Sequence, residues 1–150
     1  MTQFSLPSEQ LLKEVRTVFE VQKAALSAHN DRLGDEYLTA LGLMKNCTGR
    51  VIVCGMGKSG HIGKKISATL ASLGTPSFFM HPGEAFHGDL GMITKDDLLL
   101  LISYSGETDE ILKIIPSIQH FGNKIISIIN SDLKKMVVRI YMPIKKTLQY

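Results

Sequence analysis

Residues 51–60 read VIVCGMGKSG, and this stretch decides the fold class. Its first four residues form an apolar run with the length of a buried strand, and glycines follow at once. Lys58–Leu73 then has the pattern of a helix that stops at Gly74. A buried strand, a glycine-rich turn and a helix in this order are typical of a parallel α/β sheet.

The same alternation of strand and helix continues along the chain. We predict further strands at Ser77–Met80, Leu98–Ser103, Lys124–Ile129 and Val137–Met142, and a helix at Glu107–Phe121. Two helical patterns come first, one after Pro7 and one from Asp31, the expected N-cap, to Lys45. The sequence therefore predicts a three-layer α/β sandwich, in which helices cover both faces of a parallel sheet, preceded by two leading helices.

The charge of the chain is unevenly distributed. The net charge is +3 over 150 residues, and 21% of the residues are charged, which excludes a disordered or fibrous chain. Residues 132–150 hold five basic residues and one acidic residue, whereas residues 1–131 hold 12 and 13. Since no aromatic residues are interleaved with the basic ones, we expect no nucleic-acid partner.

The chain shows no sign of a membrane segment or an export signal. No apolar run approaches the roughly 20 residues of a membrane-spanning helix, and the first residues lack a signal-peptide pattern. We therefore expect a cytoplasmic protein in which Cys47 and Cys54 are reduced thiols. Cys54 lies inside the first strand and is expected to be a small core residue.

Ligands of a parallel sheet bind at the carboxyl ends of its strands, where this sequence places three polar loops. The first loop, residues 55–60, matches G-x-G-x-x-G and could present backbone N–H groups to an anion. As a dinucleotide-binding signal the match is weak, because Met80 and His81 stand where an acidic residue is needed. The alternative is a plain tight turn between strand and helix.

The second loop, residues 80–90, carries two histidines and two carboxylates, namely His81, Glu84, His87 and Asp89. Such groups transfer protons near neutral pH or bind a metal ion. The third loop, residues 103–108, reads SYSGET and offers small hydroxyl groups to a phosphate. Its alternative role is N-capping of the next helix by Ser105.

Three segments together resemble one known family. They are VIVCGMGKSGHIGKK at 51–65, ATLASLGTPSFFMHPGEAFHGDLGMI at 68–93, and ISYSGETDEI at 102–111. These motifs are similar to those of the sugar isomerase (SIS) domain family, and more narrowly to the arabinose 5-phosphate isomerases. The resemblance implies a reversible isomerisation between D-ribulose 5-phosphate and D-arabinose 5-phosphate, a step in the synthesis of surface polysaccharide sugars.

The resemblance also implies roles for individual residues. Lys58 and Glu110 match catalytic positions. The residue types favour His81, His87 and Glu110 for proton transfer, and Lys58 for positive charge near the enediolate or the phosphate. The expected substrate contacts are Gly74, Thr75, His81 and His87, with Ser103, Ser105 and Thr108 around the phosphate. His81 matches a position able to take zinc that catalysis does not need, so no cofactor is expected to be required. Which group is the catalytic base stays open.

The resemblance extends over only part of the chain. We expect a helical lead-in at 1–48 and the SIS domain at 49–150, divergent after about residue 130. Members of the family continue with E-x-C-P and H-P-G-G segments that carry another catalytic Glu and His, and these are absent here. The sequence thus predicts a C-terminally truncated isomerase, impaired in activity, that binds a phosphorylated pentose and forms a homo-oligomer, either a dimer or a tetramer. The alternatives are a non-catalytic sugar-phosphate-binding module, an inactive fragment or, more distantly, a nicotinamide-dependent oxidoreductase.

Overall fold

The computed structural model describes residues 7–131 and 135–141. The chain divides into two compact units, Met1–Gly34 and Asp35–Tyr150. The second predicted helix therefore groups with the sheet, although the expected domain boundary at 48/49 stays a prediction. In the described part of the chain, no helix is long and apolar enough to cross a membrane.

The first unit contains helix α1, Ser8–Asn30, which follows Pro7 as predicted. The expectation that Asp31 caps the second helix is wrong. Asp31 instead ends α1, because its backbone N–H donates to the carbonyl oxygen of Ser27. The second helix, α2, begins four residues later and spans Asp35–Lys45.

The second unit is built on a five-stranded sheet with the order β2-β1-β3-β4-β5. Its strands are β1 Val51–Gly55, β2 Ser77–Met80, β3 Leu98–Ser103, β4 Lys124–Ser131 and β5 Lys135–Tyr141. The first four are parallel, as predicted, but β5 pairs antiparallel with β4. A parallel return needs a crossover of a dozen or more residues, and only residues 132–134 separate β4 from β5. Met142, the predicted end of the last strand, lies outside the described residues.

Helices cover both faces of the sheet and produce the predicted three layers. They are α3 Gly57–Ser72, α4 Pro82–Ala85 and α5 Asp109–Phe121, with a 3-10 turn at Asp89–Met92. On one face, α5 buries Ile111, Ile114 and Ile118 against alternate residues of β1 and β3. On the other face, α2 and α3 pack against the remaining strand residues. Every residue of β1 and β3 is buried, which explains why both strands are continuous apolar runs.

An ion pair between the partly exposed Arg50 and the buried Asp97 fixes the amino edge of the sheet. The Asp97 carboxylate accepts hydrogen bonds from the backbone N–H and the guanidinium of Arg50, and from the backbone N–H of Thr94. Burial alone would raise the pKa of Asp97, but these hydrogen bonds outweigh burial and lower the pKa to about 2. Arg50 also donates to the carbonyl oxygen of Met92, so it ties β1 to the segment that leads into β3.

Candidate active site

The three predicted loops all follow parallel strands, so the sheet places them along one edge. The first loop follows β1, the second follows β2 and the third follows β3. β1 lies between β2 and β3, and the chain turns to opposite faces of the sheet after β1 and after β3. Such a reversal opens a crevice at the carboxyl ends of the strands, which is the usual ligand site of this architecture.

Two cavities show that the first loop is close to each of the others. A cavity of about 110 Å³ is lined by Gly57, Gly60, His61, Lys64, Phe79 and His81, which join the first loop to the second. A more apolar cavity of about 250 Å³ is lined by Ser59, Ile102, Ser103, Tyr104, Ile128, Ile129 and Asn130. It joins the first loop to the third. The loop after β1 is therefore the centre of the candidate site.

The first loop presents an uncapped helix N-terminus. Met56 is the N-cap of α3 but makes no side-chain cap bond, so the first backbone N–H groups of this 16-residue helix have no side-chain partner there. Lys58 is exposed in the first turn. Gly60 permits a close approach to β1, since a Cβ atom there would lie 2.7 Å from the carbonyl oxygen of Gly55. The positive charge of Lys58 and the uncapped N–H groups together favour the binding of an anion at the start of α3.

The second loop begins with a histidine whose tautomer is fixed by the backbone. His81 is the N-cap of α4, and its Nδ1 accepts a hydrogen bond of 3.2 Å from the backbone N–H of Gly83. Neutral His81 therefore carries its proton on Nε2, which makes Nε2 a donor. His87 and Glu84 are exposed, and the hydrogen bond from His87 N–H to the Glu84 carbonyl oxygen closes the turn between them.

The donor set around His81 does not fit a zinc site. Zinc in proteins usually has three or four protein ligands. Among residues 7–131 and 135–141, no group of three or more His, Cys, Asp or Glu side chains is placed to hold a metal ion. We therefore derive no chemical step from zinc at His81.

The third loop is organised by its own hydroxyl groups. The Ser103 Oγ accepts from the backbone N–H of Gly106 at 3.0 Å and lies 2.8 Å from the Thr108 Oγ1. Gly106 has a φ of +75°, which favours glycine. The Ser105 Oγ accepts from the backbone N–H of Glu107. N-capping by Ser105, the alternative role considered for this loop, is wrong because Thr108 is the N-cap of α5.

The carboxylates of the third loop differ in exposure. Glu107 and Asp109 are exposed, whereas Glu110, in the first turn of α5, is half-buried. Ala85 of α4 and Ile111 of α5 pack in the same core cluster on one face of the sheet. The second loop and Glu110 therefore lie on the same side of the sheet. Lys58 lies in the first turn of α3, which packs on the other side of the sheet.

Gly74 and Thr75 lie away from these loops. Both residues precede β2, and β2 pairs in parallel register with β1 from Ser77 and Val51 onward. They therefore lie at the amino edge of the sheet, opposite the edge that carries the three loops. One copy of the chain does not bring them together with the other predicted substrate contacts.

The cavities add residues to which sequence reasoning assigned no role. His61 and Lys64 line the cavity that contains His81, and Ser59 and Tyr104 line the other. Helical spacing was the available signal, since His61 and Lys64 are four and seven residues after Gly57 on one face of α3.

Cys54 is fully buried in β1. Burial raises the pKa of its thiol to about 12, which confirms Cys54 as a core residue.

The model of the SIS domain matches residues 44–140. The chain belongs to the SIS domain family. It is 57% identical over 139 residues to the arabinose 5-phosphate isomerase KpsF of Escherichia coli O6:H1, covering 87% of this chain and 42% of that protein. It is 54% identical to the isomerase KdsD of Pseudomonas aeruginosa, covering 71% of this chain and 33% of that protein.

A solved structure supports the fold and the family. The c3406 protein of Escherichia coli CFT073, determined in complex with arabinose 5-phosphate, is 42% identical, with a TM-score of 0.79. The match covers 84% of this chain and 67% of that one. This SIS domain chain thus spans less than half the length of the curated relatives named here.

Proposed function

We propose that this SIS domain interconverts D-ribulose 5-phosphate and D-arabinose 5-phosphate. The observation that carries the proposal is the position of the first loop, which shares one cavity with the histidine-bearing loop and another with the hydroxyl-rich loop. A phosphorylated pentose needs these two environments at once, one for the phosphate and one for the reacting carbons. The relatives KpsF and KdsD are both named arabinose 5-phosphate isomerases, which supports the same reaction.

The phosphate would bind the third loop and the start of α5. Ser105 is exposed, and its hydroxyl proton is available to an oxygen because the Oγ acts as an acceptor toward Glu107. The N-cap Thr108 makes no side-chain cap bond, so the helix N-terminus remains open to an anion. Ser103 lies beneath the loop and holds it in shape.

The reacting carbons would lie between the first and second loops. Isomerisation requires a base that removes a proton from the carbon beside the carbonyl, and an acid that protonates the carbonyl oxygen. The resulting enediol takes up a proton on the former carbonyl carbon, while the hydroxyl of the other carbon loses its proton and becomes the new carbonyl. We assign these transfers to His87 and Glu110, give His81 a hydrogen-bond role through Nε2, and assign charge stabilisation to Lys58.

The positions of Gly74 and Thr75 favour an oligomer. Because they lie at the amino edge of the sheet, they reach a sugar phosphate at the carboxyl edge only from another copy of the chain. We therefore propose a homo-oligomer, a dimer or a tetramer, in which sites are shared between copies. The proposed chemistry uses side chains without a cofactor, and the cytoplasmic location stays a prediction.

A rate measurement tests the proposed activity. Incubation of the chain with D-arabinose 5-phosphate should produce D-ribulose 5-phosphate above the rate without protein. Saturable binding with no product would instead support the alternative of a sugar-phosphate-binding module, and neither binding nor product would contradict the proposal altogether.

Replacement of Lys58 tests the assignment of the catalytic charge. We expect Lys58→Met to lower the isomerisation rate about a hundred-fold or more, because one catalytic group typically contributes at least this much. Its thermal unfolding should change little, since Lys58 is exposed. Lys65→Met, which removes another exposed lysine of α3, is the matched control and should retain the parent rate. Equal rates for both variants would end the assignment.

A further inference from the structure

The cavity between α3 and the second loop is lined by hydrogen-bond donors and positive charge. Its volume is about 110 Å³, and His61 and Lys64 line it from α3 while His81 lines it from the second loop. None of the described residues that line this cavity is acidic. Of the three side chains, the proposed isomerisation uses His81 alone, so His61 and Lys64 have no role in it.

The ammonium group of Lys64 is held at the wall of this cavity. Its Nζ lies 5.4 Å from the centroid of the Phe79 ring, a distance at which the face of an aromatic ring attracts a cation. Phe79 is half-buried and also lines the cavity. Among residues 7–131 and 135–141, Lys64 forms no ion pair. Its charge and its N–H donors are therefore available to a ligand.

The two histidines add further donors. The Nδ1 of His81 accepts from the backbone N–H of Gly83, so Nε2–H is the donor that neutral His81 can offer to a ligand. His61 is exposed and lies three residues before Lys64, which places both side chains on the same face of α3. An ammonium group and two imidazole rings around one cavity favour an oxyanion, because hydrogen bonds to a charged acceptor are the stronger ones.

We propose that this cavity is an oxyanion site that takes free inorganic phosphate and is separate from the third loop. A water molecule occupies about 30 Å³ of the liquid, so a cavity of about 110 Å³ holds one oxyanion of phosphate size but not a whole sugar phosphate. Lys64 supplies the charge, and His61 and His81 supply hydrogen bonds. The inference does not rest on the proposed function, because phosphate binding requires no turnover.

An NMR titration tests the site. Inorganic phosphate is added to the isotope-labelled parent chain, with sodium chloride of equal ionic strength as the reference, and the imidazole signals of the five histidines are followed. His61→Gln and His81→Gln identify the two signals of interest. We expect saturable shifts at His61 and His81, with His29 and His120 unchanged. No shift at His61 and His81, or equal shifts at all five histidines, would overturn the proposal.

Matched lysine variants distinguish a specific site from general attraction. We expect Lys64→Met to weaken phosphate binding roughly ten-fold, because a charge-assisted contact is lost. Lys65 is exposed but does not line the cavity, so Lys65→Met should bind within about two-fold of the parent chain. Lys64→Arg keeps the charge and the contact with Phe79, and it should retain the affinity even if Lys64→Met folds poorly. Full binding by Lys64→Met, or equal weakening by Lys65→Met, would contradict the site.

A variant of the third loop distinguishes free phosphate from the phosphate group of a sugar. Ser105→Ala should bind free phosphate within about two-fold of the parent chain, but D-arabinose 5-phosphate roughly ten-fold more weakly. If Lys64→Met weakened both ligands equally and Ser105→Ala weakened neither, the phosphate group of the sugar would occupy the cavity, which overturns the separate site. A parent chain that binds free phosphate in the cavity but no sugar phosphate supports this inference and contradicts the proposed function.

Discussion

The hydroxyl of Ser105 is the exposed polar group at the tip of the third loop. Its Oγ accepts from the backbone N–H of Glu107, which leaves its proton for a ligand. We expect Ser105→Ala to weaken binding of D-arabinose 5-phosphate roughly ten-fold, with the free energy of unfolding nearly unchanged. Ser72→Ala, an exposed serine near the end of α3, should bind normally. Calorimetry checks both, and identical affinities would remove Ser105 from the site.

Asp97 illustrates a residue whose importance lies in stability. Its ordinary pKa of 3.8 falls to about 2 in the folded chain, where burial raises it but hydrogen bonds from Arg50 and Thr94 lower it further. A lowered folded pKa means that the ionised form stabilises the fold above about pH 4. That contribution is lost as the pH falls from about 4 toward 2.

Replacement of Asp97 should therefore have a pH-dependent effect. We expect Asp97→Asn to lower the free energy of unfolding by about 2–3 kcal/mol at pH 7, because it leaves Arg50 and Thr94 with a weaker acceptor. Urea unfolding should show the gap to the parent chain narrowing as the pH falls from about 4 to about 2. Asp96→Asn, at the exposed neighbouring carboxylate, is the control. A gap that stays constant with pH would contradict this account.

At the level of single elements, the close contact between α3 and the sheet depends on glycines, which have no side chain. A Cβ atom at Gly60 would lie 2.7 Å from the carbonyl oxygen of Gly55, and one at Gly63 would lie 3.0 Å from the ring of Phe79. The first distance is shorter than real Cβ atoms show, and the second is tighter than most Cβ contacts, so α3 packs closely on the sheet because glycines face it. The same close approach brings the N-terminus of α3 to the candidate site.

Gly60→Ala tests this contact. We expect it to destabilise the chain by about 1–3 kcal/mol, since α3 must move away from backbone atoms that cannot yield. Gly42→Ala in α2 is the matched control because nothing lies within 4 Å of its Cβ position, and alanine is the better helix former. It should be neutral or stabilising by up to about 1 kcal/mol. Equal thermal unfolding of both variants would contradict the packing described here.

The short strands with continuous apolar runs were the most predictable elements. β2 and β3 span the predicted residues, because continuous apolar runs between turn residues leave few alternatives. The boundary near Asp31 was mispredicted, since a short acidic residue suits a helix start as well as the turn after a helix. The hydrophobic pattern of β5 does not show whether the strand is parallel or antiparallel to β4. The short connection after β4 makes it antiparallel.

At the scale of the whole molecule, the sequence predicted the edge of the sheet that carries the site but not its internal contacts. The alternation of strands and helices predicts parallel strands, and parallel strands place all three loops at the carboxyl edge. The hydrogen bond between Ser103 and Thr108 and the cavity shared by His61 and His81 depend on tertiary placement. The position of Gly74 and Thr75 at the opposite edge likewise required the strand register.

The proposed function requires this SIS domain to bind a pentose through its phosphate at the carboxyl edge of the sheet. The most direct test is a calorimetric titration of the parent chain with D-arabinose 5-phosphate and, separately, with D-arabinose. We expect saturable binding of the phosphorylated sugar and at least roughly a hundred-fold weaker binding of the unphosphorylated one, because the third loop and the start of α5 would lose their anion. Equal affinity for both sugars, or no binding of either, would contradict it.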